Sequence, residues 1–241
     1  MVRPPIACRH PMIEEPPLLT IRTERLRPDE AQLTSLRDVP TGFLADAMNG
    51  RGALPTTIRH LSPGVLPTRF FGSALTCQCG PADVLAVFAA LGEVRPGDIL
   101  VAATGAWPGC AVIGDRVMGM LRNAGGSAFI TDGLVRDIEG IEPVGLPLMC
   151  AGVSPNSPFA NGPGEIGFRV SLGDVSIDSG DVIVADDSGA VVVPSEQLDA
   201  VIARLPAIRK LEAALDARVA DGLIMPDSTR ELLASDRVKR I

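Results

Sequence analysis

Aromatic residues are scarce in this chain of 241 residues, which has no tyrosine, one tryptophan and an aromatic fraction of 3%. Without large rings, the core has to be built from Ala, Val, Leu and Ile, and the hydrophobic fraction of 46% supplies them. Such packing suits an α/β or α+β fold. A chain of this length buries somewhat over ~70% of its unfolded surface, and one domain is the default. Histidine is nearly missing too. His10 lies in a Pro-rich leading segment and His60 in a Pro-rich connection, so histidine general-base catalysis and Ser-His-Asp or Cys-His nucleophiles are not expected. The cysteines Cys8, Cys77, Cys79, Cys110 and Cys150 are odd in number and form no CxxC pair. That disfavours a disulfide framework and a zinc site, and a reducing cytoplasm is the simpler setting. No run approaches the ~18 apolar residues of a membrane helix, and MVRPPIACRHPMIEEPP holds no signal-type apolar stretch. A soluble protein with no membrane partner is expected. Positive charge is in deficit, the net being -7. Such a surface repels a phosphate backbone, which argues against nucleic acid as a partner, although arginine clusters still suit small anions.

Residues 1–30 are rich in Pro and charge and lack periodicity, which predicts a flexible arm ahead of a single domain over 31–241. TGFLADAMNG from Thr41 has helical spacing and ends near Gly50, with Thr41 as a possible cap. FFGSALTC reads as a strand, PADVLAVFAAL (81–91) as a helix opened by proline, and GDILVAA as a strand. A helix over Asp115 to Ala124, with Val117, Met120, Leu121 and Ala124 facing inward, precedes the strand SAFIT and a turn at Asp132-Gly133. Short β segments then follow: PLMCAG, FRVSL, VSI, DVIVADD and AVVVP. A helical stretch from about Ser195 to Ala220 and a short terminal helix from Asp227 close the chain. RPGDILVAA and DSGDVIVAD echo each other, by convergence of Gly-Asp turns or by duplication.

With histidine and cysteine set aside, chemistry falls to carboxylates, arginines or a metal. Gly114 and Asp115 open a helix, where unpaired backbone amides attract anions and a glycine admits close approach. A substrate carboxylate fits there; a simple capping role for Asp115 is the alternative. TDGLVRD leaves the strand SAFIT and presents Arg136 and Asp137 side by side, at the strand end where α/β folds place ligands. Asp137 can bind a hard cation and Arg136 can fork onto a carboxylate or enolate. A surface salt bridge between Arg136 and Glu139 is the bland alternative. Glu212 falls on a stripe with Val201, Leu205, Ile208, Leu215 and Val219. A carboxylate there is costly unless paired, which suggests an interface or site; Pro206, able to kink the helix, and a snorkelling or capping role weigh against it. GPGEIG (162–167) matches a nucleotide-loop pattern but lacks the strand before and the helix after. Asp186-Asp187 suits a hairpin turn better than a metal.

The run GDRVMGMLRNAGGSAFITDGLVRD resembles the RraA-like family, which includes 4-hydroxy-4-methyl-2-oxoglutarate/4-carboxy-4-hydroxy-2-oxoadipate aldolases. An Asp, twenty residues and an Arg-Asp pair make its motif, matched by Asp115, Arg136 and Asp137. TGFLADAM, FFGSALT, RPGDILV and SGDVIVADDSGAVVVP extend the likeness over most of 40–220. The resemblance implies an α/β/β/α sandwich of the swivelling-domain type, assembled as homotrimers or hexamers. It also implies a class II pyruvate aldolase that cleaves a 4-hydroxy-2-oxo dicarboxylate, with oxaloacetate decarboxylation as a shared activity. By the same likeness Asp137 ligates Mg2+ or Mn2+, Asp115 meets that metal through water, and Arg136 contacts the pyruvyl group. The backbone of Gly114 to Arg116 then receives the carboxylate of a small 2-oxo acid. Glu212 is the candidate that reaches the metal waters of a neighbouring subunit. A non-catalytic regulator of a ribonuclease complex is the other role that the likeness allows.

Overall fold

The computed structural model describes residues 17–241. In chain order the elements are β1 (Leu19–Ile21), α1 (Glu30–Leu36), α2 (Thr41–Ala47), β2 (Arg59–His60), β3 (Phe70–Gln78), α3 (Leu85–Ala90), β4 (Ile99–Ala103), β5 (Ala111–Ile113), α4 (Asp115–Asn123), β6 (Ala128–Thr131), β7 (Leu134–Val135), α5 (Ile138–Ile141) and β8 (Leu148–Cys150). After these come β9 (Gly152–Val153), β10 (Gly164–Ile166), β11 (Val170–Leu172), β12 (Val175–Ile177), β13 (Val182–Asp186), β14 (Gly189–Val193), α6 (Leu198–Ala220) and α7 (Asp227–Leu233).

The central strands β3, β4, β6 and β8 run parallel, in the registers Leu75↔Leu100, Leu100↔Phe129 and Phe129↔Leu148. Their near-continuous apolar sequences, such as ILVAA, belong to strands covered on both faces. Alternate residues divide between two cores. Leu75, Cys77, Leu100, Ala102 and Phe129 pack against α3, α4 and α5, whereas Ala74, Ile99, Val101 and Ile130 pack against Ile183, Ala185, Ala190 and Val192 of the β13–β14 hairpin. On the hairpin's far face, Val182, Val184, Val191 and Val193 meet Leu36, Leu44, Leu198, Val201 and Leu205 of α1, α2 and α6. The result is helix, sheet, sheet, helix: the α/β/β/α order.

Several local expectations change. Residues 1–16, with Cys8 and His10, lie outside the described residues, but the supposed arm is ordered well before residue 30. β1 pairs in parallel with β10, and Arg25 and Arg27 reach Asp98 at 2.5 and 2.9 Å. With 4% of the Arg25 side chain and none of Asp98 exposed, this is a buried clamp. The helix expected from Pro81 begins only at Leu85, because the Asp83 carboxylate accepts the amides of Leu85, Asn161 and Gly162 and holds the preceding residues in a turn. Thr41 is the first residue of α2 and not its cap; its amide and hydroxyl donate to Asp186 at 2.9 and 2.8 Å. Asp186 therefore anchors a helix as well as leading into the hairpin turn. α6 continues through Pro206, whose position is exposed. GPGEIG itself contains β10 and is followed by another strand, β11, not by a helix.

The echo between RPGDILVAA and DSGDVIVAD has a local cause. In both, a glycine of positive φ, Gly97 and Gly180, precedes a buried Asp whose carboxylate accepts the amide three residues back: Arg95 for Asp98 and Asp178 for Asp181. The same turn solves the same entry into a buried strand.

Candidate functional site

The twenty-residue spacing between Asp115 and Arg136 is the length of one return trip through the fold. β5 ends at Ile113 and α4 starts at Asp115; β6 then crosses the core, and β7 comes back beside β5 in parallel, pairing Ala111↔Leu134 and Ile113↔Val135 with a register shift between them. The Arg136 amide donates to the Ile113 carbonyl at 3.0 Å. Gly114-Asp115 and Arg136-Asp137 are thus neighbouring strand ends, in a three-stranded parallel sheet completed by β9.

Two glycines let the acidic groups in. A Cβ on Gly114 would stand 2.6 Å from the Asp137 Oδ2 and 3.2 Å from the Arg136 Cγ. One on Gly140, in α5, would stand 2.7 Å from both the Cβ and Oδ2 of Asp115. Neither distance is tolerable for a real side chain. Gly114 is also the N-cap of α4, so Asp115 occupies the first turn, where its Oδ1 accepts the Arg116 amide at 2.7 Å and caps nothing further along. Asp137 has left-handed backbone, φ 59° and ψ 46°, a conformation that Asp tolerates better than most residues and that recurs at functional sites. The Arg136 guanidinium meets Asp137, Nε to Oδ2 at 3.1 Å, and donates to the Ser157 hydroxyl; its expected alternative partner Glu139 is not used.

These residues share one cleft of about 370 Å³, lined by Gly114, Asp115, Arg116, Arg136, Asp137 and Ser157, with Val84, Phe88, Val117, Met120 and Pro158 among its apolar members. Spacing alone predicts an inward-facing Met120, but it is 46% exposed in this cleft, and Met118 takes the buried position on α4. Asp132 supports the neighbouring loop, its carboxylate accepting the amides of Thr104 and Ala106 and the Thr104 hydroxyl. Ser157 and Gly140 carry no signal in a single sequence, since Ser157 sits in an irregular stretch and Gly140 gains its meaning only where α5 crosses Asp115.

Glu212 is not brought to this cleft by its own chain. α6 packs on α1 and α2 in the opposite outer layer. Its apolar stripe is buried only as far as Leu205 and Ile208; beyond them Leu211, Leu215 and Val219 are 70%, 44% and 57% exposed. Glu212 itself is half-buried on that stretch.

Among the described residues no three His, Cys, Asp or Glu gather as a metal cage. The cleft offers two carboxylates, Asp115 and Asp137. That set fits a cation of the Mg2+ type, which keeps several waters and is held through one or two carboxylates together with its substrate. Among the described residues thiol chemistry has no support: Cys77, hydrogen-bonded to Cys79 and buried, is held well above the ordinary thiol range, and burial pushes Cys150 up to about 11. Cys77, Cys79, Cys110 and Cys150 are all free and buried. Among the described residues no helix is long and apolar enough to cross a membrane.

Comparison with known proteins gives the same frame. A protein of Halalkalibacterium halodurans, provisionally named 4-hydroxy-4-methyl-2-oxoglutarate aldolase, is 31% identical over 192 residues, 80% of this chain and 90% of its own. The structure of Streptomyces coelicolor RraAS2, described as an unusual member of the RNase ES inhibitor RraA protein family, matches with a TM-score of 0.69 at 28% identity, over 80% of this chain and all of that one. An uncharacterised protein of Pseudomonas syringae matches with the same TM-score of 0.69 at 25% identity, over 83% of this chain and 96% of its own. Residues 41–192 match the RraA-like family, described as Aldolase/RraA, and the chain belongs to that family.

Proposed function

We propose that the cleft is the active site of a divalent-cation-dependent carbon-carbon lyase, which releases pyruvate from a 4-hydroxy-2-oxo acid and also decarboxylates oxaloacetate. The observation that carries this reading is the meeting of Asp115, Arg136 and Asp137 at adjacent strand ends, with Gly114 and Gly140 leaving space for both carboxylates. Asp137 would hold Mg2+ or Mn2+, with Asp115 as the second carboxylate beside it. When bound, the cation supplies Lewis acidity toward the 2-oxo acid. The amides at the start of α4 and the Arg116 guanidinium take the C1 carboxylate. Arg136, oriented by Asp137 and Ser157, faces the C2 oxygen and stabilises the negative charge that grows there as the C3–C4 bond breaks. Asp115 takes the C4 hydroxyl proton by way of water.

The exposed apolar stretch of α6 is covered by assembly into homotrimers or hexamers, which also brings Glu212 toward a neighbouring cleft. The buried free thiols suit a reducing cytoplasm, and residues 31–241, with β1 and the Arg25–Arg27 segment docked on them, act as a single catalytic domain. Pyruvate release from oxaloacetate and 4-hydroxy-4-methyl-2-oxoglutarate, with and without Mg2+, tests the reading. The likeness to RraAS2 favours a second one, a non-catalytic regulator that binds a ribonuclease complex. An inert protein that binds purified ribonuclease would establish it in place of the lyase.

A further inference from the structure

We infer that the cleft recognises the end of its substrate remote from the oxo-acid group as an apolar branch in preference to a second carboxylate. The inference rests on the lyase reading and names a substrate class within it. Its first observation is the outward turn of two large side chains. Phe88 on α3 and Met120 on α4 are 43% and 46% exposed, and both line the cleft that holds Asp115, Arg136 and Asp137. A lone exposed apolar residue needs no explanation, but here two helices contribute one each to the same cleft, over a buried floor of Val84 and Val117 at 4% and 6% exposure. Met120 is one turn along α4 from Arg116, about 6 Å farther from the helix start. A substrate whose C1 carboxylate sits on the α4 amides and whose chain runs along α4 brings its C4 substituent to that wall. Methionine, flexible and polarisable, adapts well to aliphatic groups.

The second observation is the charge balance. The cleft holds two cations and two anions, and the Arg136 guanidinium is already committed to Asp137 and Ser157. Arg116 is exposed, and among the described residues its side chain has no ion pair. One free guanidinium serves one carboxylate, that at C1. A second carboxylate would meet Asp115, Asp137 and apolar side chains, and removing it from water without a partner is unfavourable.

An isosteric pair of substrates isolates charge from size. In 4-hydroxy-5-methyl-2-oxohexanoate an isopropyl group stands where 4-hydroxy-2-oxoglutarate has its second carboxylate. In each, the C3–C4 bond breaks and its electron pair passes to the pyruvate enolate; the C4 hydroxyl loses its proton and becomes the aldehyde carbonyl, and C3 is protonated. The products are pyruvate with 2-methylpropanal in one case and with glyoxylate in the other. A single methylene in an apolar pocket discriminates by roughly 10- to 200-fold, so kcat/KM for the branched substrate is expected to exceed that for the dicarboxylate by about tenfold or more. Met120→Lys should reverse the order and Phe88→Ala should shrink it. Both positions are exposed, so neither variant threatens the fold.

Affinity for two acids that cannot be cleaved, 5-methyl-2-oxohexanoate and 2-oxoglutarate, measured by calorimetry with Mg2+ present, gives a second readout. Tighter binding of the branched acid is expected. Preferential cleavage of the dicarboxylate, tighter binding of 2-oxoglutarate, or a ratio unmoved by both variants would overturn the apolar pocket. Absence of pyruvate from either substrate, with the branched acid still bound more tightly, would overturn the lyase reading and leave the pocket standing.

Discussion

The Asp137 carboxylate stands in the space that a side chain on Gly114 would fill, with Oδ2 2.6 Å from the position of that missing Cβ. Gly114→Ala should therefore displace Asp137 and the guanidinium paired with it. A misplacement of about 1 Å can cost on the order of 10²-fold in rate, and a loss of that size in pyruvate release is expected. Gly119→Ala in the same helix is the control, because its Cβ would touch nothing within 4 Å. That change should leave kcat/KM alone and raise stability by roughly 0.5–1 kcal/mol, the usual gain from replacing a helical glycine. Equal activities for the two variants would remove the steric argument.

Arg136→Lys keeps the charge but not the fork that spans Asp137 and Ser157. Loss of a preorganised donor typically costs about 10²- to 10³-fold in rate, and kcat should carry most of it. Circular dichroism should match the parent, since Arg136 is half-buried at the cleft and outside the hydrophobic cores. An unchanged kcat/KM would sink the role given to this side chain.

The clamp between the N-terminal segment and the domain should matter for stability. Asp98 accepts from Arg25 and Arg27 and from the Arg95 amide, with its own side chain fully buried. Breaking a buried pair leaves the remaining charge uncompensated and typically costs ~3–5 kcal/mol. Urea unfolding of Asp98→Ala should show a loss in that range; a change below about 1 kcal/mol, the median for surface pairs, would mean that the segment docks by other means.

Asp186 gives an acid-sensitive contribution. Burial alone would raise its pKa, but the amides of Thr41 and Ser188 and the Thr41 hydroxyl, with Arg69 nearby, outweigh it and hold the carboxyl below the ordinary range. A depressed folded pKa stabilises the protein above the unfolded value of about 3.9, and that stabilisation is lost as pH falls through the lower folded value. Asp186→Asn should therefore be less stable than the parent at pH 7, and the gap should narrow below about pH 4. A deficit independent of pH would assign the effect to packing at the start of α2.

Interactions close in sequence were the legible ones. The strand, helix, strand unit that carries Asp115 to Arg136 follows from apolar spacing and turn residues, and its length makes the two ends neighbours. Periodicity correctly located α4, yet it assigned Met120 to the core, because a spacing rule identifies the apolar arc and not which edge of it lines a cleft. The same limit affects Glu212: the stripe on α6 is real, but the chain supplies a cover only as far as Ile208. The supposed arm could not be read correctly either. Its order depends on Asp98, 73 residues from Arg25, and on β10, which pairs Gly164 with Leu19. Gly140 and Ser157 belong to the same class, defined by contacts that only the folded chain creates.

The central claim is that Asp137 and a divalent cation together make the cleft a pyruvate-releasing site. The most direct measurement is pyruvate formed from oxaloacetate by metal-stripped protein before and after addition of Mg2+, for the parent and for Asp137→Ala. The account predicts release that appears with Mg2+ in the parent and falls to the background of Mg2+ alone in the variant, with an unchanged circular dichroism spectrum. Release above that background by Asp137→Ala at the parent's rate, or a parent that remains inert with Mg2+ and Mn2+, would contradict it.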